Sequence, residues 1–91
     1  MVTYEILKRA IDTYGTEMQL VVACEELSEL QKEICKSLRG RDNLPAIAEE
    51  IADVEIMLEQ LKIIFNCSCD VGIVRQEKLE RLARRIERDE K

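Results

Sequence analysis

Residues 44–65 of the chain read LPAIAEEIADVEIMLEQLKIIF, and this stretch decides the fold. Pro45 suits the first turn of a helix, and no other helix breaker follows it in the stretch. Apolar residues lie almost all round this helix, whose narrow polar stripe consists of Glu55, Glu59 and Lys62. A helix that is apolar on most sides must be buried on several of them. We therefore expect helical neighbours within the chain and further burial at a subunit interface.

Three further helices are predicted from apolar positions at helical spacing. Their approximate bounds are Thr3–Tyr14, Thr16–Arg39 and Ile73–Glu90, with a break over residues 66–72. Thr16 and Gln19 have the spacing of a capping box, while Gly15 and Gly40 are suitable stops. The expected fold is one all-α domain over residues 1–91, a bundle of about four helices completed by oligomerisation into a homodimer or homotetramer.

The charge distribution limits the classes of partner. The 91 residues carry a net charge of -5, which opposes a general nucleic-acid binder because phosphates need basic surface. Residues 1–72 hold 7 basic and 14 acidic side chains, whereas residues 73–91 hold 7 basic and 5 acidic ones. Neither a signal peptide nor an apolar run long enough for a bilayer is evident, so a cytoplasmic protein without membrane contact is expected.

Two pairs of acids border the apolar faces of the second and third helices. Glu26 and Glu29 are three residues apart, as are Glu50 and Asp53, so each pair points to one side of its helix. Twenty residues separate Glu29 from Glu50, enough to end one helix and begin an antiparallel neighbour. Four carboxylates that converge at a core edge repel one another unless protons or a divalent cation neutralise them.

Ligands that are all oxygen suit a hard ion, Mg²⁺ or alternatively Mn²⁺, and Mg²⁺ on a few carboxylates commonly takes phosphate oxygens as well. The sequence therefore predicts a site that handles phosphates. A single pair of this kind is more often a solvated helix face, but two pairs on consecutive helices are harder to explain by chance. A di-iron carboxylate centre normally needs histidine, and the chain has none. Glu33, one turn beyond Glu29, is interpreted as a solvated acid.

These motifs resemble a known signature. E-E-x-x-E (Glu25, Glu26, Glu29) followed by E-x-x-D (Glu50, Asp53) is similar to the motif of the MazG-like all-α nucleoside triphosphate pyrophosphohydrolases, in particular the small single-domain members of phage or prophage type. The resemblance covers roughly residues 19–61 and extends more loosely to the fourth helix. It implies a Mg²⁺-dependent enzyme that converts a (deoxy)nucleoside triphosphate and water into the monophosphate and pyrophosphate.

The resemblance also implies roles for the motif residues. Glu26, Glu29, Glu50 and Asp53 would be the metal ligands. Glu25 would be a catalytic residue that contacts a second metal, orients a water molecule or acts as a base, and these alternatives stay open.

Basic residues on the fourth helix are candidates for binding the substrate's phosphates. Lys78, Arg81 and Arg85 share one stripe at spacings of three and four residues, and they resemble the K-x-x-R positions that follow the acidic helices in the superfamily. A solvated face with ion pairs along the helix is the alternative interpretation. Lys32 and Lys36 are further candidates on the second helix, for which a solvated surface is the simpler interpretation.

Two other functions compete with the pyrophosphohydrolase. A phosphoribosyl-ATP pyrophosphatase-like enzyme has a similar size and helix order, although its other characteristic segments are not evident. A catalytically silent helical module that binds a protein partner would use the apolar third helix but would have no use for four convergent acids.

Overall fold

The computed structural model describes residues 2–90, in which four α-helices follow one another. Their bounds are α1 Thr3–Tyr14, α2 Thr16–Leu38, α3 Leu44–Ile64 and α4 Ser68–Asp89. Because no strand occurs between residues 2 and 90, the predicted all-α class with four helices is confirmed. Over the same residues, the structure contains no helical segment with the length and apolar character that crossing a membrane requires.

Glycines end the first two helices where the sequence predicts. Gly15 has φ 90° and Gly40 has φ 88°, a backbone region that side chains with a Cβ rarely adopt. Pro45 lies in the first turn of α3, where its missing N–H removes no helical hydrogen bond. These residues mark the end of α1, both ends of α2 and the start of α3 in the sequence.

Two local predictions are wrong. Gly15 is the N-cap of α2 and no side chain caps this helix, so Thr16 and Gln19 form no capping box. Residues 66–72 are also not one break, because α4 already begins at Ser68. Asn66, with φ 50°, makes the turn, and Gly72 lies inside the helix. A glycine costs a helix only about 1 kcal/mol relative to alanine, which the surrounding helical hydrogen bonds offset.

The core lies among the first three helices. α2 packs along α3, and α1 lies against both of them. The buried apolar side chains come from all three helices and are Leu7, Ile11, Ala23, Val54 and Met57. This arrangement holds the carboxylates of α2 and α3 between two helices whose relative position is fixed by packing.

The fourth helix does not complete a closed bundle within one chain. Among the helices of residues 2–90, α4 contacts α3 alone, and it contributes no residue to the buried core. The radius of gyration is 16.4 Å, against about 12 Å for a compact domain of this length. Several apolar side chains of α3 also stay exposed, among them Ile51, Ile56 and Leu58. Completion of the bundle by a second copy remains a prediction.

Candidate metal centre

Two polar contacts align α2 with α3 at opposite ends of the pair. Near the start of α2, the Gln19 Nε2 group donates a hydrogen bond of 2.7 Å to Gln60 Oε1 near the end of α3. At the other end, Asn43 immediately precedes α3 and contacts Glu33 near the end of α2. Its Nδ2 group donates to the Glu33 backbone oxygen at 3.0 Å and to Glu33 Oε1 at 2.8 Å. The two helices are therefore antiparallel, as predicted.

The acidic residues lie between these two contacts. Glu26 is seven residues after Gln19, and Asp53 is seven residues before Gln60, so both acids lie about two turns along from the amide pair and on the same face. Glu26, Glu50 and Asp53 each offer one carboxylate oxygen, and these three oxygens lie within 4.8 Å of one another. All three residues are half-buried. Helical spacing thus brings together three of the four predicted metal ligands.

Glu50 has an oxygen that the rest of the structure leaves unsatisfied. Its Oε2 atom is buried and finds no hydrogen-bond partner among residues 2–90. A buried polar atom without a partner is costly, and the cost is greater when the group is charged. The site therefore favours either a proton on Glu50 or a cation between the three carboxylates.

The pKa values of two of these acids are raised, which favours their protonated forms. Burial raises the pKa of Glu26, and the neighbouring Asp53 carboxylate raises it further through repulsion and through a hydrogen bond to the protonated form. Burial also raises the pKa of Glu50, followed by repulsion from Asp53 and then from Glu29. Like charges at short range make ionisation of the whole cluster unfavourable without a counter-ion.

Glu29 and Glu25 lie at the exposed side of this cluster. The Glu29 side chain is 49% exposed, and its Oε1 lies 3.7 Å from Lys32 Nζ. Glu29 is not one of the three converging residues, but its charge reaches both Glu26 and Glu50. Glu25 and Glu29, together with Glu26, line an open depression on the surface of α2. The predicted fourth ligand and the predicted catalytic residue therefore border the cluster.

The predicted phosphate-binding residues of α4 are not brought to these carboxylates within one chain. Within residues 2–90, Lys78, Arg81 and Arg85 lie on a helix that contacts α3 alone, and none of them is among the charges that shift the pKa values of Glu26 and Glu50. Lys78 instead borders an apolar groove along α4, lined by Val74, Leu79 and other residues of the same helix.

The interpretation of Glu33 as a solvated acid is wrong. Its side chain is only 12% exposed, because Asn43 and Lys36 both bind it, the latter with Nζ 3.0 Å from Glu33 Oε2. Hydrogen bonds from Asn43 and then from Lys36 lower the pKa of Glu33. Glu33 belongs to the same row of α2 as Glu26 and Glu29, and this position was a signal for partial burial. Its partner Asn43, however, lies ten residues away in the connection between the helices.

The buried amide pair of Gln19 and Gln60 was also missed from the sequence. Each amide lies one turn from an apolar residue of its helix, Ala23 for Gln19 and Met57 for Gln60, which was the available signal.

Comparisons with protein-family models, curated proteins and solved structures give no match to this chain. The resemblance to the MazG-like superfamily therefore stays a prediction that rests on the motif residues.

Proposed function

We propose that the chain is a Mg²⁺-dependent nucleoside triphosphate pyrophosphohydrolase that releases a nucleoside monophosphate and pyrophosphate. The observation that carries this proposal is the buried, unpartnered Oε2 atom of Glu50 beside the carboxylates of Glu26 and Asp53. This set of donors consists entirely of oxygens, which suits Mg²⁺ and also Mn²⁺. Glu26, Glu50 and Asp53 would hold the ion, with Glu29 as a further ligand at the exposed side.

Bound Mg²⁺ supplies charge neutralisation for the phosphate oxygens in reactions of this kind. The protein residues do the remaining work. Glu25, which lines the acidic depression, would orient a water molecule and accept its proton. The water oxygen forms a bond to phosphorus while the anhydride bond between the α- and β-phosphates breaks, and pyrophosphate leaves.

The proposal includes assembly of two or more copies. The apolar stripe of α4 is exposed, with Leu79 at 42% and Leu82 at 38%, and a stable protein normally covers such a helix face. Residues 73–91 carry 7 basic and 5 acidic groups against 7 basic and 14 acidic groups in residues 1–72. The basic residues 73–91 of a second copy are therefore complementary in charge to the acidic residues 1–72 of the first. Lys78, Arg81 and Arg85 of that copy would bring cations towards the phosphates.

The test is turnover of nucleotides. The parent chain is incubated with Mg²⁺ and a panel of nucleoside and deoxynucleoside triphosphates, and the products are separated by chromatography. We expect a monophosphate and pyrophosphate from at least one nucleotide, and a loss of turnover of about a hundredfold or more in Glu50→Gln. Glu55→Gln is the matched control, since it removes the same charge from an exposed position of α3.

Two outcomes would contradict the proposal. One is a parent chain that hydrolyses no nucleotide and whose melting temperature does not respond to Mg²⁺, which would favour the silent helical module. The other is release of the diphosphate and phosphate, which would indicate a different hydrolase. If only phosphoribosyl-ATP were cleaved, the related pyrophosphatase would be the better description.

A further inference from the structure

A second depression adjoins the acidic one on the surface of α2. The acidic depression is lined by Glu25, Glu26 and Glu29 together with Ser28. The neighbouring depression, of about 260 Å³, shares Ser28 and has three cations in its wall, which are Lys32, Lys36 and Arg39. An acid-lined surface next to a base-lined one matches the two needs of a metal–polyphosphate complex, because the ion binds carboxylates while the outer phosphates bind cations.

The two lysines of this wall lie beside acids that border the carboxylate cluster. Lys32 Nζ lies 3.7 Å from Oε1 of Glu29, the acid at the exposed side of the cluster. Lys36 Nζ lies 3.0 Å from Glu33 Oε2, and the negative charge of Glu33 contributes to the raised pKa of Glu50. Both ammonium groups therefore lie beside acids, Glu29 and Glu33, whose charges act on the candidate metal centre.

Both ammonium groups also keep hydrogen-bond donors for a ligand. The 3.7 Å between Lys32 Nζ and Glu29 Oε1 is too long for a hydrogen bond, so this contact occupies none of the three donors of Lys32. Lys36 makes one side-chain hydrogen bond, to Glu33, within the described part of the chain. Its other two donors are free for phosphate oxygens.

We propose that Lys32 and Lys36 form the subsite for the outer phosphates of the nucleotide and for the pyrophosphate that leaves. This proposal rests on the proposed function, and it names the cations that the same chain supplies. The phosphate chain then runs from the carboxylate cluster along α2 towards its C-terminal half. Cations of α4 from a second copy would add to this subsite, but Lys32 and Lys36 make the principal contact.

The experiment measures binding of inorganic pyrophosphate in the presence of Mg²⁺ by titration calorimetry. The test variant is Lys32→Met/Lys36→Met, which retains most of each side chain and removes both charges. Lys62→Met is the matched control, since Lys62 makes the same kind of ion pair with Glu59 three residues earlier on α3. We expect the affinity for Mg²⁺-pyrophosphate to fall by about tenfold or more in the test variant and to stay unchanged in the control.

Binding of Mg²⁺ alone separates this role from a structural one. Removal of two cations beside the carboxylates leaves the affinity for Mg²⁺ unchanged or tighter, because the site becomes more negative. A general disruption of the site would weaken Mg²⁺ and pyrophosphate together. The single variant Lys32→Met provides a second measurement that leaves the Glu33 contact intact, and we expect part of the loss of pyrophosphate affinity in it as well.

Three results would overturn the proposal. Equal pyrophosphate affinity in the test variant and the control would exclude the subsite. A loss found only in Lys78→Met/Arg81→Met would assign the outer phosphates to α4. A parent chain that binds no Mg²⁺ would overturn the proposed function itself, an outcome distinguishable from a parent that binds Mg²⁺ while the lysine variants behave like the control.

Discussion

One oxygen of the Glu50 carboxylate, Oε2, is buried, and no group of residues 2–90 donates a hydrogen bond to it. The pKa of Glu50 and that of Glu26 are both raised by burial and then by the neighbouring Asp53. An acid whose folded pKa lies above the unfolded value binds more protons in the folded state. The stability of the metal-free protein therefore falls as the pH rises from the ordinary glutamate pKa through these raised values.

Glu50→Gln tests this argument at the residue scale. In metal-free solution near pH 7, the variant should melt a few degrees above the parent, because repulsion within the cluster is relieved. The difference should shrink as the pH falls towards the ordinary glutamate pKa, where the parent's Glu50 is itself protonated. Millimolar Mg²⁺ should raise the melting temperature of the parent and leave that of the variant unchanged.

Thermal melts at several pH values, with chelator and with Mg²⁺, supply the measurement. Glu55→Gln is the control for removal of one negative charge from α3. A Glu50→Gln variant that melts below the parent at neutral pH would show that the ionised carboxylate stabilises the fold, contrary to this argument. Glu33 acts in the opposite sense, because its lowered pKa gives stability that is lost as the pH falls through that value.

Residue spacing alone was enough to predict the centre of the candidate site. Glu26, Glu50 and Asp53 converge because acids three residues apart share a helix side and because α2 and α3 are antiparallel. The burial of Glu33 was not predictable in the same way. It depends on where the connection between the helices places Asn43, and helical periodicity carries no information about the path of a loop.

At the scale of the helices, the amide pair of Gln19 and Gln60 sets the relation between α2 and α3. These side chains are 6% and 4% exposed, and the hydrogen bond between them is 2.7 Å long. A shift of either helix by one residue would leave both amides buried without this partner. The pair lies two turns from Glu26 and Asp53, so the same alignment also positions the carboxylates.

Substitution of both amides should cost less than the two single substitutions added together. Gln19→Ala leaves Gln60 Oε1 buried without a donor, and we expect a loss of about 1–3 kcal/mol in the free energy of unfolding. Gln19→Leu/Gln60→Leu replaces both polar groups and should cost less than the single variants Gln19→Leu and Gln60→Leu added together. Chemical denaturation measures these values, with Gln31→Ala as an exposed control on α2. Additive losses in the double variant would show that the two amides are not coupled.

Helix boundaries were predictable where one residue decides them and not where several compete. Gly15 and Gly40 adopt positive φ and end their helices as expected. The start of α4 was placed five residues late, at Ile73 in place of Ser68, because Gly72 was interpreted as part of a break. In the fold, α4 runs through Gly72 without interruption, and the turn involves only Asn66 and its neighbours.

At the scale of the whole molecule, many large apolar side chains lie exposed. Extents of 52 × 36 × 25 Å reflect a helix, α4, that leaves the body formed by the other three. The stripe of α4 and side chains of α3 such as Ile56 and Leu58 remain exposed. The sequence predicted this excess of apolar surface from the composition of α3, but it could not predict which helix a second copy would cover.

We expect the protein to be a homodimer or homotetramer at micromolar concentration, held together by the apolar stripe of α4. Leu79→Gln/Leu82→Gln should shift the assembly to monomers, since two apolar side chains are removed from the interface at a cost of about 1 kcal/mol or more each in association. Ile6→Gln is the control, because Ile6 is exposed to a similar degree, 45%, on α1. Sedimentation velocity over a range of concentrations measures the mass of each variant.

A parent chain that stays a stable monomer, or a control that dissociates as readily as the α4 variant, would contradict an interface on α4. Turnover measured on the same samples would then show whether the phosphate subsite of Lys32 and Lys36 operates without a second copy.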